Sequence, residues 1–196
     1  MNYYISDLHL EHANIIKFDK RPFFNAKEMG EEIIKRWNAR VKPGDSVYIL
    51  GDFCMSKNED DWFYYLNKLN GQKFLIKGNH DIRMSGKLKS KFAQICDYKE
   101  ISDCGKRIVM CHYPIITYRA DYKENTYMFY GHVHVSVEAD LINEAVKNIH
   151  NKPNEFWGEG IRPLAQLCNV GCMISYMDYT PRTADEIIGA NGFLKN

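Results

Sequence analysis

What most constrains this chain is where its polar motifs stand. Asp7-Leu8-His9, Gly51-Asp52, Gly78-Asn79-His80-Asp81, His112 and Gly131-His132-Val133-His134 each follow a short apolar run. The runs 3–6, 46–50, 73–77, 107–111 and 127–130 read as β-strands. Between them, 26–40 reads as an amphipathic helix with Met29, Ile33 and Trp37 on one face. A second helix over 58–69 carries Trp62, Tyr65, Leu66 and Leu69, and Asn70-Gly71 stops it. A third spans 138–150, followed by a loop over 153–162. Alternating strands and helices predict a layered α/β domain. In such folds, sites form beyond the carboxyl ends of strands, so five strand ends can gather five distant motifs. Gly51, Gly78 and Gly131 suit the sharp exits and close backbone approach this needs.

The donors in these motifs are imidazole, carboxylate and amide, and five of the seven histidines lie among them. That set suits Mn, Fe, Zn or Ni rather than a thiolate-held metal. Asp7 and His9 are two apart in an extended segment, as are His132 and His134, so each pair points one way. Asp52 suits a carboxylate shared by two cations, which repel at the separation of about 3.5–4 Å typical of paired sites. Asn79 offers a neutral amide. His80 beside it can protonate a leaving oxygen, with neighbouring Asp81 orienting its ring. A lone histidine near a strand end is usually structural. Two such pairs with three further motifs reverse that reading. Paired metal sites act on phosphate esters above all.

With 196 residues, 45% of them apolar, the chain can bury a core as one domain, with a helical and loop insertion expected over 135–168. A net charge of +1 gives no support to a polyanion binder that works through bulk charge, so nucleic acid is a partner that charge does not indicate. No apolar run reaches membrane-spanning length, and Met1 leads straight into a strand-like segment, so a cytoplasmic location is expected. The six cysteines form no C-x-x-C pair and read as reduced, mostly buried thiols, with Cys111 turned away from its neighbour His112 by strand alternation. Arg83, Lys87, Lys89 and Lys91 could grip a second anionic group but read better as a solvated face. Tyr113, Tyr118, Tyr122, Tyr127 and Tyr130 read as core and surface aromatics rather than a base-stacking platform. His12 is not taken as a ligand.

The ordered set of motifs resembles the calcineurin-like metallophosphoesterase superfamily, and the resemblance spans residues 7–134. Ser6-Asp7-Leu8-His9 with His12, Asn14-Ile15-Ile16 and Arg21-Pro22-Phe23 is similar to a branch of small stand-alone bacterial and phage phosphoesterases. Asn169-Val170-Gly171 and the stretch 179–187, with Pro181 and Asp185, resemble the same branch. The resemblance implies a four-layer α/β (α+β) sandwich of two mixed β-sheets flanked by helices. It implies two divalent ions, Mn²⁺ first, with Fe, Zn or Ni as alternatives. One ion would take Asp7, His9, Asp52 and His134, and the other Asp52, Asn79, His112 and His132. His80 would be the catalytic histidine that binds no metal, with Asp81 beside it. The implied reaction is hydrolysis of a small phosphate ester, a diester before a monoester, by a hydroxide bridging the ions. A protein phosphatase or a catalytically silent metal-binding module are the competing readings. Neither the oligomeric state nor the physiological substrate is legible.

Overall fold

The structure is a computed structural model that describes residues 1–81, 84–158 and 162–193. Its first four strands, β1 (Asn2–Ile5), β2 (Ser46–Ile49), β3 (Gln72–Ile76) and β4 (Gln94–Cys96), form a parallel sheet in that order. Tyr3 pairs with Val47, and Val47 with Lys73, so the strands end together. Arg182 adds one antiparallel bridge at Tyr4. The second sheet runs β5 (Tyr98–Asp103), β6 (Lys106–Cys111), β7 (Thr126–Tyr130) and β8 (Leu167–Asn169). There β5 is antiparallel to β6, while β6, β7 and β8 are parallel.

Alternation along the strands sets the layers. Ile108 and Met110 of β6, with Tyr127 and Phe129 of β7, join the large core shared with the first sheet. Val109, Met128 and Tyr130 point to the opposite face, as a period of two requires. That outer face is covered by α5 (Val137–Asn151), through Ala139, Ile142, Val146 and Ile149. The expected insertion therefore packs on the sandwich, and its far end runs into β8.

The first sheet is covered by α2 (Ala26–Arg40) and α3 (Glu59–Lys68), whose buried residues belong to the large core. Asn25 caps α2 by accepting from the Glu28 amide, and Asn58 caps α3 by accepting from Asp60. Both helices match the sequence reading to within a residue at each end. Shorter elements were not read from sequence: α1 (Ala13–Phe18), α4 (Gly86–Lys89), α6 (Ala184–Ala190), and strands β4, β5 and β8. A 3₁₀ turn (Asn154–Trp157) occupies part of the expected loop.

All six cysteines are free: Cys54, Cys168 and Cys172 buried, Cys96 and Cys111 half-buried, Cys104 exposed. No helix among the described residues is long and apolar enough to cross a membrane.

Candidate metal centre

The five motifs meet at the carboxyl edge of the two sheets. Asp7 and His9 follow β1, Asp52 follows β2, and Asn79 follows β3. From the second sheet, His112 follows β6, and His132 and His134 follow β7. Asp7, Asp52 and His112 are almost fully buried, as is His9. Ligand atoms of Asp7, His9 and His134 lie close enough to share one ion, as do those of Asp7, Asp52 and His112.

Asp7 belongs to both groups, and Asp52, a member of the second, also reaches towards His9 of the first. Asp52 Oδ2 is 3.6 Å from His9 Nε2 and 3.6 Å from His112 Nε2. On one side, His9 Nε2 faces His134 Nε2 at 3.2 Å, with Asp7 Oδ1 3.6 Å from the latter. On the other side, Asn79 Oδ1 stands 3.0 Å from both His112 Nε2 and His132 Nδ1.

The tautomers of two histidines follow from their other ring nitrogens. His112 Nδ1 lies 2.7 Å from the Leu50 carbonyl, which can only accept, so Nδ1 carries the proton. His134 Nδ1 donates to the Asp19 carboxylate at 2.9 Å. Each ring therefore turns an Nε2 lone pair inward. The His112 Nε2 lone pair faces the Asn79 side-chain oxygen with no proton between them, and the His134 Nε2 lone pair faces His9 Nε2. A cation satisfies that arrangement, and a histidine held by a carboxylate or carbonyl on its far side is the usual form of a metal ligand. The titration behaviour agrees. Burial raises the Asp7 carboxyl above its ordinary value, so an ionised Asp7 needs a positive neighbour. Burial, with His134 and Arg21 nearby, lowers His9 to about 2, so its ring stays neutral and available. The residues present thus fit divalent ions.

The backbone is shaped for this convergence. Asp7, His9, Asp52, His132 and His134 all have left-handed φ, between 48° and 70°. Such conformations cost a non-glycine residue roughly 1–3 kcal/mol each and persist only where the surroundings impose them. At two positions the fold demands glycine. A Cβ on Gly78 would collide with the Asp52 carboxylate, and one on Gly131 with Ser6 and Asp7.

Sequence reasoning missed Asp19. It sits at the end of α1, takes His134 Nδ1 on one side and the Arg21 guanidinium on the other, at 2.8 Å. Arg21, quoted above only as part of a resemblance, is 4% exposed. It also donates to the carbonyls of Leu8 and Asp7, at 2.9 Å each. One buried pair thus ties the first motif to the last.

The expected orientation of His80 by Asp81 is corrected. Asp81 Oδ2 accepts from the amides of Asp52 and Gly78, at 2.7 and 2.9 Å, and Oδ1 accepts from Phe53 at 3.1 Å. Its carboxylate points into the backbone, because residues adjacent in a turn project in different directions. The carboxylate beside His80 is that of Asp52. Asp52 Oδ1 accepts the His80 amide at 3.0 Å, and Oδ2 is 4.0 Å from His80 Nε2. The His80 side chain is 42% exposed at the mouth. His12 stands beside His9, ring centroids 5.5 Å apart. Tyr113 packs edge-on against His132 at 4.6 Å and is exposed, whereas Tyr118, Tyr127 and Tyr130 are buried. Lys87 and Lys91 lie over Phe63. Arg83 lies outside the described residues.

Converging carboxylate, amide and imidazole donors at strand ends are the kind of set that metal-assisted hydrolases use. The sequence profile of the calcineurin-like phosphoesterase superfamily domain matches residues 3–151, and the chain belongs to that superfamily. It is therefore one of a family of phosphoric-ester hydrolases that generally bind divalent metals. An uncharacterized protein of Methanocaldococcus jannaschii is 35% identical over 161 residues, which cover 77% of this chain and 84% of that one. The crystal structure of a protein of unknown function from Aquifex aeolicus has a TM-score of 0.67 at 31% identity. The match covers 97% of this chain and 98% of that one.

Proposed function

We propose that this chain is a single phosphoesterase domain with a dinuclear centre, acting on small phosphodiesters in the cytoplasm. The observation that carries the dinuclear reading is the position of Asp52 Oδ2, 3.6 Å from a histidine of each ligand group. Asp7, His9, Asp52 and His134 would hold one ion, and Asp52, Asn79, His112 and His132 the other. The mixed nitrogen and oxygen donors suit Mn²⁺, Fe, Zn or Ni, and the family resemblance puts Mn²⁺ first. Divalent ions held there supply Lewis-acid stabilisation of the charge that builds on phosphate oxygens.

The chain's own groups do the rest. His80, at the mouth and beside Asp52, is placed to protonate a departing alkoxide. Asp19 holds the His134 ring, and Arg21 holds the 7–8 turn. Asp81 pins the backbone of the Gly51 and Gly78 exits. Arg21 is consumed by Asp19 and two carbonyls, so this buried cation is not free to match the second charge of a monoester. Tight ground-state binding of a monoester dianion would lower KM without raising kcat, which favours the diester. The six unpaired thiols suit a reducing compartment.

The test is side-by-side kinetics of the Mn²⁺-loaded protein on an aryl phosphodiester and the matching monoester. The diester should have the higher kcat/KM. A tenfold advantage for the monoester refutes the diester preference, and no turnover with Mn²⁺, Fe²⁺, Zn²⁺ or Ni²⁺ refutes the enzymatic reading.

A further inference from the structure

A cleft of about 560 Å³ opens against His134, between the start of α5 and the segment that follows β8. Its size lies in the range of small-molecule sites. It stands at the same strand edge as the ligands, since Tyr130, its buried floor, is the last residue of β7.

Its lining has a definite chemistry. Ile174 and Val137 give apolar walls, and Val135 and Val137 are exposed at its rim to 73% and 74%. Among the described residues no lysine or arginine lines it, and Asp140 is its one carboxylate. A second phosphate would meet repulsion there and no cation. Tyr130 is only 4% exposed as a residue, and it lines the cleft. A tyrosine hydroxyl is a neutral hydrogen-bond donor at physiological pH. An acceptor atom of a ligand in the cleft can take that donor in place of solvent.

We propose that this cleft receives the uncharged arm of a phosphodiester whose phosphate sits beyond His134. The arm carries apolar surface and a hydrogen-bonding atom for Tyr130, the chemistry of a nucleoside or an aryl alcohol. The inference rests on the phosphoesterase reading above, and it sets aside a second anionic group as the specificity element.

Two variants test it: Val137→Trp, which fills the rim, and Tyr130→Phe, which removes the hydroxyl. Their folding is checked by circular dichroism and thermal melting. The first measurement uses metal-free protein and saturation-transfer NMR with adenosine, benzyl alcohol and adenosine 5′-monophosphate. Adenosine or benzyl alcohol, whichever matches the natural arm, should bind the parent protein. The monophosphate should bind more weakly than adenosine, and Val137→Trp should abolish the signal. The second measurement compares kcat/KM of the Mn²⁺-loaded proteins on two p-nitrophenyl diesters, one with a nucleoside arm and one with a methyl arm. Both variants should lose at least tenfold more on the nucleoside-armed ester. Equal losses on both esters, or neutral ligands binding Val137→Trp as they bind the parent, would overturn the proposal. If neither ester turns over, the phosphodiesterase reading fails, and the NMR result alone still decides what the cleft binds.

Discussion

The carboxylate of Asp19 accepts the Nδ1 proton of His134 at 2.9 Å, across 115 residues of sequence. His134 titrates higher than an ordinary histidine: burial opposes this, and the bond to Asp19 with the charge of Asp7 outweighs it. The pair fixes which nitrogen of His134 faces the site. Asp19→Asn should keep the fold and weaken metal binding by about 10- to 100-fold, the usual effect of losing a ligand's outer partner. Titration calorimetry with Mn²⁺ reads it. Unchanged affinity would show that Asp19 merely packs.

In the proposed scheme Asp52 is shared by both ions, with its Oδ2 3.6 Å from His9 and from His112. The parent chain should bind about two Mn²⁺, and Asp52→Ala should bind at most one, and weakly. Metal analysis after desalting gives the count. A parent protein that never exceeds one ion would overturn the paired centre.

His80 faces the mouth and is no ligand in this scheme. His80→Ala should leave metal content nearly unchanged and lower turnover roughly 10²–10⁴-fold. The loss should shrink for a nitrophenolate leaving group, which needs no proton. Loss of metal in this variant would place His80 among the ligands instead.

How much of this was legible in the sequence depends on range. The candidate ligand residues stood out because each closes an apolar strand, and strand ends are where such sites form. The α2 helix was legible because Asn25 caps it and Met29, Ile33 and Trp37 recur at helical spacing. Asp19 was not legible, since its partner is remote and an aspartate near a helix end looks like an ordinary solvated one. Asp81 was misassigned by proximity, because closeness along the chain says little about which way two turn residues point. The strand β5 was obscured by its half-exposed residues, whose polarity hides the pattern. The helix α6 did carry a signal, the Thr183 and Glu186 capping box.

His9 predicts a pH dependence for the metal-free protein. Its ring is neutral when folded, with burial lowering it to about 2, while the unfolded ring titrates near its ordinary value. The unfolded state therefore binds more protons below roughly pH 6.5. Stability is fully present above that value and is lost as pH falls towards about 2. The contribution is up to about 1.4 kcal/mol per pH unit. In the presence of chelator, denaturant unfolding at pH 7, 6 and 5 should show a shallower fall for His9→Gln. Parallel pH slopes for the two proteins would exclude His9 as the source.

In the proposed scheme each ion draws on both sheets: Asp7, His9 and Asp52 face His134 across the interface, and Asp52 and Asn79 face His112 and His132. The same interface is filled by ring contacts such as Tyr4 against Phe129, edge-on at 5.0 Å. The separation of the two halves of the site thus depends on how core rings pack just behind it. A slimmer or bulkier ring at Phe129 would act like a shim under one half of a clamp. Which metal radius the protein prefers is, on this architecture, a property of its core packing as much as of its ligands.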